Sequence, residues 1–152
     1  MHKHQAISNS FNHAAAVLTF HTPLRNSATH FAYDGQPAAS AWLQQLNLAC
    51  QQRDWPLLAT QLSPQVRQVN LFGQAQQGIP ALLQSLQQLL AENPGLQLHY
   101  QLQHVQPLGS SVLVLQVQQH WLQPDQPASS CLLLLVLQQV QQQWLLAACN
   151  AL

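Results

Sequence analysis

The C-terminal part of the sequence, from Leu96 to Asn150, consists of four successive runs rich in apolar residues, of which the first, over 96–103, alternates strictly between apolar and polar residues. Turns rich in Pro, Gly, Ser or Gln separate these runs. Alternation with a period of two places one set of side chains on each face of a β-strand. The pattern therefore predicts four long antiparallel strands in meander order, over residues 96–103, 112–122, 130–138 and 144–150.

Three helices are predicted before these strands. Apolar residues recur at helical spacing over 38–52, and a short helix is predicted over 55–61 with Asp54 as its N-cap. The strongest helical pattern covers 79–92, which an Asn-Pro-Gly sequence ends.

A weaker alternation predicts a strand over 66–72, followed by a loop or hairpin turn over 73–78. Helices that precede a block of antiparallel strands define the α+β fold class. Residues 1–36 lack a sustained period, so we interpret them as a partly ordered N-terminal extension. A turn at 34–37 leads into a single domain over 38–152.

The surface of this protein carries very little charge. The chain has four Lys plus Arg against four Asp plus Glu, but 29 Gln. Scattered basic residues cannot neutralise a row of phosphates, so we expect no nucleic-acid partner. The longest apolar run is much shorter than the ~20 residues of a membrane-spanning helix, so we expect no membrane association.

The cysteines indicate neither a disulfide framework nor a metal site. Cys50, Cys131 and Cys149 are odd in number and have no ligand spacing. We interpret them as buried free thiols, which suits a cytoplasmic protein. His2 and His4 lie close together near the N-terminus, but they have no evident supporting groups, and we expect neither a metal nor a cofactor.

The segment Cys131–Leu137 is apolar at every position. Both faces of this strand therefore favour burial, while helices on one side of a sheet cover a single face. We expect the other face to form a homodimer, sheet against sheet.

Several local motifs, in this order of elements, resemble the nuclear transport factor two-like superfamily, which includes ketosteroid isomerases and polyketide cyclases of the SnoaL type. The motifs are Gln52–Trp55 with Leu58, Leu62–Val66, Gly73 with Gly78–Leu82, and Trp144–Leu146. The resemblance implies a cone-shaped α+β barrel, in which three N-terminal helices pack on a curved antiparallel meander sheet. It also implies a pocket at one end and frequent dimerisation through the outer face of the sheet.

The resemblance does not supply the reactive groups of the isomerases. By approximate alignment, the general base falls near Asn70, the tyrosine near Leu46 and the second acid near Leu133. Asn and Leu side chains cannot take up a proton at neutral pH. The remaining candidate bases are His104, which is in phase with Leu98, Tyr100 and Leu102, and His120.

The pairing of the strands on either side of Pro107–Ser110 decides what these histidines can reach. A symmetric turn places His99 opposite Gln118 and His104 opposite Leu113, so His104 and His120 need not approach each other. For the pocket wall we choose Trp42 and Trp121, with Tyr100 and Asn70 as polar contacts to a ligand.

Three functions remain open. The leading hypothesis is a homodimeric domain whose apolar pocket binds a small hydrophobic molecule without catalysis. The second is an isomerase, cyclase or hydrolase that acts on a hydrophobic carbonyl compound with a histidine base. The third is a protein-interaction domain.

Overall fold

The computed structural model describes residues 34–70 and 72–152. Within these ranges the chain forms three helices and six strands. In chain order they are α1 (Gln36–Gln52), α2 (Trp55–Thr60), β1 (Leu62–Val69), β2 (Ala75–Gln77), α3 (Ile79–Glu92), β3 (Gln97–Pro107), β4 (Val112–Leu122), β5 (Ser129–Val140) and β6 (Gln143–Ala151). Among the described helices, none has the length and apolarity that crossing a bilayer requires.

The strands form one sheet in the order β2-β1-β6-β5-β4-β3. Strands β3 to β6 are the predicted antiparallel meander. The predicted hairpin is formed by β1 and β2, but β1 pairs with β6 in parallel. The α+β class and the curved sheet behind three helices are confirmed, whereas the sheet stays open because its edge strands β2 and β3 do not pair.

The chain enters α1 through a tight turn at Asp34 and Gly35. The Asp34 carboxylate accepts a hydrogen bond from the backbone N–H of Gln36 at 3.0 Å. Gly35 has a φ of 74°, and a Cβ there would lie 2.5 Å from a methyl group of Leu113. The left-handed backbone conformation favours glycine here, and a larger residue would also displace the Leu113 side chain. Of the predicted extension over 1–36, residues 1–33 lie outside the described residues, and Gln36 already belongs to α1.

The helix predictions are confirmed, with small shifts at their ends. Asp54 caps α2 by accepting from the N–H of Leu57 at 3.1 Å. The prediction for the following segment is wrong in its boundary: Ser63 and Pro64 belong to β1, which begins at Leu62. The strand begins earlier than the alternation indicates because β1 has an irregular register between Leu62 and Arg67.

The core lies between the helices and one face of the sheet. In β4, Leu113, Leu115 and Val117 are fully buried, and Leu133, Leu135 and Leu137 are their counterparts in β5. The residues between them point to the opposite face, which we call the outer face. Its apolar members on these strands are half-buried and are Val112, Val114, Leu132, Leu134 and Val136.

The predicted register of β3 and β4 is wrong by about two residues. His99 lies opposite His120, and His104 lies opposite Gln116. The register also shifts between Leu102 and His104, which is a β-bulge. A bulge inserts one extra residue and moves every later side chain to the other face.

This bulge explains why the predicted inward position of His104 is also wrong. His104 is exposed, and Val105 packs against the core in its place. The regular alternation of Leu98, Tyr100 and Leu102 ends where the bulge begins.

Helix α1 is attached to the edge of the sheet by the side chain of Asn47. Its Oδ1 accepts from the N–H of Tyr100 at 2.7 Å, and its Nδ2 donates to the carbonyl oxygen of Tyr100 at 2.9 Å. The amide thus pairs with the edge strand β3 as a neighbouring strand would, and it fixes the backbone of Tyr100.

We expect Asn47→Ala to lower the free energy of unfolding by about 2 kcal/mol, because two hydrogen bonds are lost and a backbone N–H is left without its partner. Urea unfolding measures this change. Gln44→Ala, an exposed position on the same helix, is the control and should change stability by less than about 0.5 kcal/mol. Equal stability of the two variants would contradict the role of Asn47.

Candidate functional site

A cavity of about 370 Å³ lies between the inner face of the sheet and the helices. Most of its wall is apolar, and leucines of α3 face it from the side opposite the sheet. The described residues that line it are Trp42, Leu46, Leu58, Leu62, Gln68, Asn70, Phe72, Leu82, Leu83, Ser85, Leu86, Leu89, Tyr100, Gln119, Trp121, Cys131, Leu133, Leu135, Leu146, Cys149 and Ala151. This part of the chain contributes no aspartate, glutamate or histidine to the wall.

The structure brings the four predicted pocket residues together. Trp42, Asn70, Tyr100 and Trp121 all line the cavity, although they come from α1, the end of β1, β3 and β4. Their role in binding a ligand stays a prediction. The three positions aligned with isomerase groups, which are Leu46, Asn70 and Leu133, also line the cavity.

Asn70 has a structural role in the turn between β1 and β2. Its Oδ1 accepts from the backbone N–H groups of Phe72 and Gln74, each at 3.0 Å, and its Nδ2 donates to Gln74 Oε1 at 3.0 Å. The side chain therefore shapes the turn beside the cavity. Its acceptor oxygen is already occupied twice, which makes it a poorer ligand contact than the sequence predicts.

Neither candidate base lies in the cavity wall. His104 is exposed because of the bulge, and His120 points to the outer face, one residue out of phase with Gln119 and Trp121. On that face the His120 ring stacks against His99, with ring centroids 6.2 Å apart, and its Nε2 lies 3.0 Å from Gln101 Oε1. A molecule in the cavity therefore does not meet either imidazole.

The polar part of the cavity is a connected group centred on Gln119. Its Oε1 accepts from Trp121 Nε1 at 2.9 Å and from the Cys131 thiol at 3.2 Å. Its Nε2 donates to the Tyr100 hydroxyl at 3.0 Å. The sequence contained the signal for this residue, because Gln119 is a polar residue in phase with Leu113, Leu115 and Val117.

Burial keeps the thiols and the phenol near this cavity protonated. Burial raises the pKa of Cys50 from 9.0 to about 11, and burial followed by the charge of Cys131 raises the pKa of Cys149 to about 12. Burial also raises the pKa of Cys131, and the pKa of Tyr100 lies well above 10.0 through burial and the nearby Cys50. A protonated thiol is a weak nucleophile.

Trp42 contributes an unpaired donor. The side chain is 5% exposed and lines the cavity, and its Nε1 has no hydrogen-bond partner among the described residues. The other such buried side-chain atom in this part of the chain is Gln61 Oε1.

These pKa values predict that the folded protein loses stability in alkaline solution. A raised folded-state pKa gives stability that is complete below the unfolded value of 9.0 and is lost as the pH rises towards 11 or 12. Each buried thiol should contribute a slope of up to about 1.4 kcal/mol per pH unit in that window. Urea unfolding between pH 9 and 10 measures it.

Cys149→Ala should flatten this slope, whatever its effect on stability at neutral pH. Cys131→Ala is the matched control, because this thiol is half-buried and its removal should leave most of the slope. A slope that is unchanged in Cys149→Ala would contradict the burial of that thiol.

No family model matches this sequence, and no curated protein matches it. Solved structures do match. A domain of unknown function with a cystatin-like fold from Nostoc punctiforme is 18% identical, with a TM-score of 0.68 over 79% of this chain and 77% of that one. An NTF-2-like protein of unknown function from Shewanella oneidensis is 11% identical, with a TM-score of 0.65 over 74% and 94%.

A third structure, an NTF2-like protein of unknown function from Pseudomonas putida, is 9% identical, with a TM-score of 0.66 over 77% of this chain and 84% of that one. The chain therefore has the cone-shaped α+β fold of nuclear transport factor two-like proteins, which is also called cystatin-like.

Proposed function

We propose that this domain binds a small, uncharged and mainly apolar molecule in its cavity, without catalysis. The observation that carries the proposal is the composition of the wall: it consists mainly of leucines and tryptophans, with a few neutral polar side chains among them. Concave apolar sites with a few convergent polar groups are typical of small-molecule binding.

The groups around the cavity favour binding over proton transfer. General acid–base catalysis needs a side chain that exchanges a proton near neutral pH and lies within hydrogen-bond distance of the reacting atom. The titratable groups near the wall are three thiols and a phenol, and burial raises the pKa of each. His104 and His120 lie outside the wall, which removes the support for a histidine base.

We propose that the domain forms a homodimer through the outer face. The apolar side chains of this face are not part of the described core between helices and sheet, and Leu132, Leu134 and Val136 lie there next to Val112 and Val114 of β4. Burial of such a patch removes apolar surface from water, which is the main driving force for association. A second copy of the same sheet offers a surface of the same chemistry.

We also propose a cytoplasmic location. In the described residues Cys50, Cys131 and Cys149 are free thiols, two of them buried. Unpaired cysteines of this kind suit a reducing compartment.

For the cavity, we expect the neutral fluorescent probe N-phenylnaphthylamine to bind to the folded protein with enhanced emission. Ala151→Phe, which adds a ring to the cavity wall, should weaken binding at least tenfold. Ala91→Phe, at an exposed site on α3, should leave it unchanged. Fluorescence titration measures all three proteins, and equal binding by Ala151→Phe would place the probe elsewhere.

For the dimer, we expect the wild-type protein to sediment as a dimer and Leu134→Arg to sediment as a monomer. An unpaired charge in the centre of an apolar interface is costly because it loses its hydration. Gln97→Arg, at an exposed position at the start of β3, adds the same charge outside the apolar patch and should remain a dimer. A wild-type monomer would contradict the proposal.

A further inference from the structure

The hydrogen bonds around Gln119 have a fixed direction. Trp121 Nε1 can only donate, and so the amide oxygen of Gln119 must face Trp121. The Gln119 amide nitrogen then faces Tyr100, where it donates to the phenol oxygen. The Tyr100 hydroxyl proton must therefore point away from Gln119.

Among the described residues, the acceptor near this proton is the sulfur of Cys50. A thiol sulfur is a weak acceptor. The hydroxyl has one proton, and because Tyr100 lines the cavity, an oxygen acceptor there can replace this sulfur.

Two amide oxygens of the cavity wall are already occupied. Gln119 Oε1 already accepts two hydrogen bonds, and so does Asn70 Oδ1. At the Gln119 group a ligand therefore meets a hydroxyl that can donate, that of Tyr100, and an amide oxygen that is already occupied.

We propose that the cavity selects neutral apolar molecules that carry a hydrogen-bond-accepting oxygen, and that the Tyr100 hydroxyl, oriented by Gln119, receives this oxygen. This inference rests on the proposed binding function and adds the polarity of the ligand. A carboxylate would lose its hydration without a cationic partner, since the wall contains no Lys or Arg among its described residues.

Three compounds with the same ring system separate these features: acetylnaphthalene has an acceptor oxygen, ethylnaphthalene has no polar group, and naphthoate is an anion. Isothermal titration of the wild-type protein should give about fivefold tighter binding of acetylnaphthalene than of ethylnaphthalene, which is the effect of one neutral hydrogen bond. Naphthoate should bind more weakly than either.

Tyr100→Phe keeps the ring and removes the donor. It should abolish the preference for acetylnaphthalene and leave the affinity for ethylnaphthalene unchanged, which also shows that the cavity is intact. Gln119→Met removes the orienting amide and should reduce the preference by a smaller factor. Gln84→Met, at an exposed position of α3 outside the wall, is the matched control and should retain the preference.

The outcomes distinguish the two proposals. If none of the three compounds binds, the proposed function is wrong and this inference is wrong with it. If ethylnaphthalene binds as tightly as acetylnaphthalene, or if Tyr100→Phe weakens both equally, the domain binds apolar molecules but the donor role of Tyr100 is refuted.

Discussion

The structure depends on the incomplete filling of one face of a curved sheet. A sheet with helices on one side buries alternate residues of every strand, and here the leucines of β4 and β5 form that layer. Bulges between Leu102 and His104 and between Val136 and Leu137 interrupt the ladders, and bulges bend the strands that carry them. Near the Trp121 end of the sheet, the helices do not fill the concave side, and the cavity is the space that remains.

The cavity wall, like the sequence as a whole, is poor in charged residues. The whole chain has four acidic and four basic residues. None of those that the structure describes lies in the cavity wall. Polar contacts come instead from neutral groups whose hydrogen bonds are largely satisfied within the protein. Asn47 fixes the backbone of Tyr100 and Gln119 fixes its hydroxyl, so this residue of the cavity wall is held at both ends.

Much of the fold could be predicted from periodicity. Strand β4 was predicted with its observed bounds, and α3 was predicted as Ile79–Glu92, because a strong repeat reports directly on which face is buried. The parallel pairing of β1 with β6 could not be predicted in this way, since alternation does not identify a strand's partner. The alternation also gives no sign of the bulge after Leu102. It therefore predicts His104 on the inner face of the sheet, whereas the structure exposes this side chain.

The candidate site was predicted in part. Trp42, Asn70, Tyr100 and Trp121 share the cavity, but hydrogen bonds that depend on tertiary structure determine what each can do. Asn70 shapes a turn. Gln119 is one of 29 glutamines, and only its phase in β4 distinguishes it as a residue that points inward.

The most direct test of a binding function is native mass spectrometry of the protein purified gently from its own host. We expect a defined additional mass that corresponds to a small neutral molecule, released when the protein unfolds and reduced in Ala151→Phe. Protein that carries no additional mass from the host, and that also fails to take up apolar probes, would contradict the account.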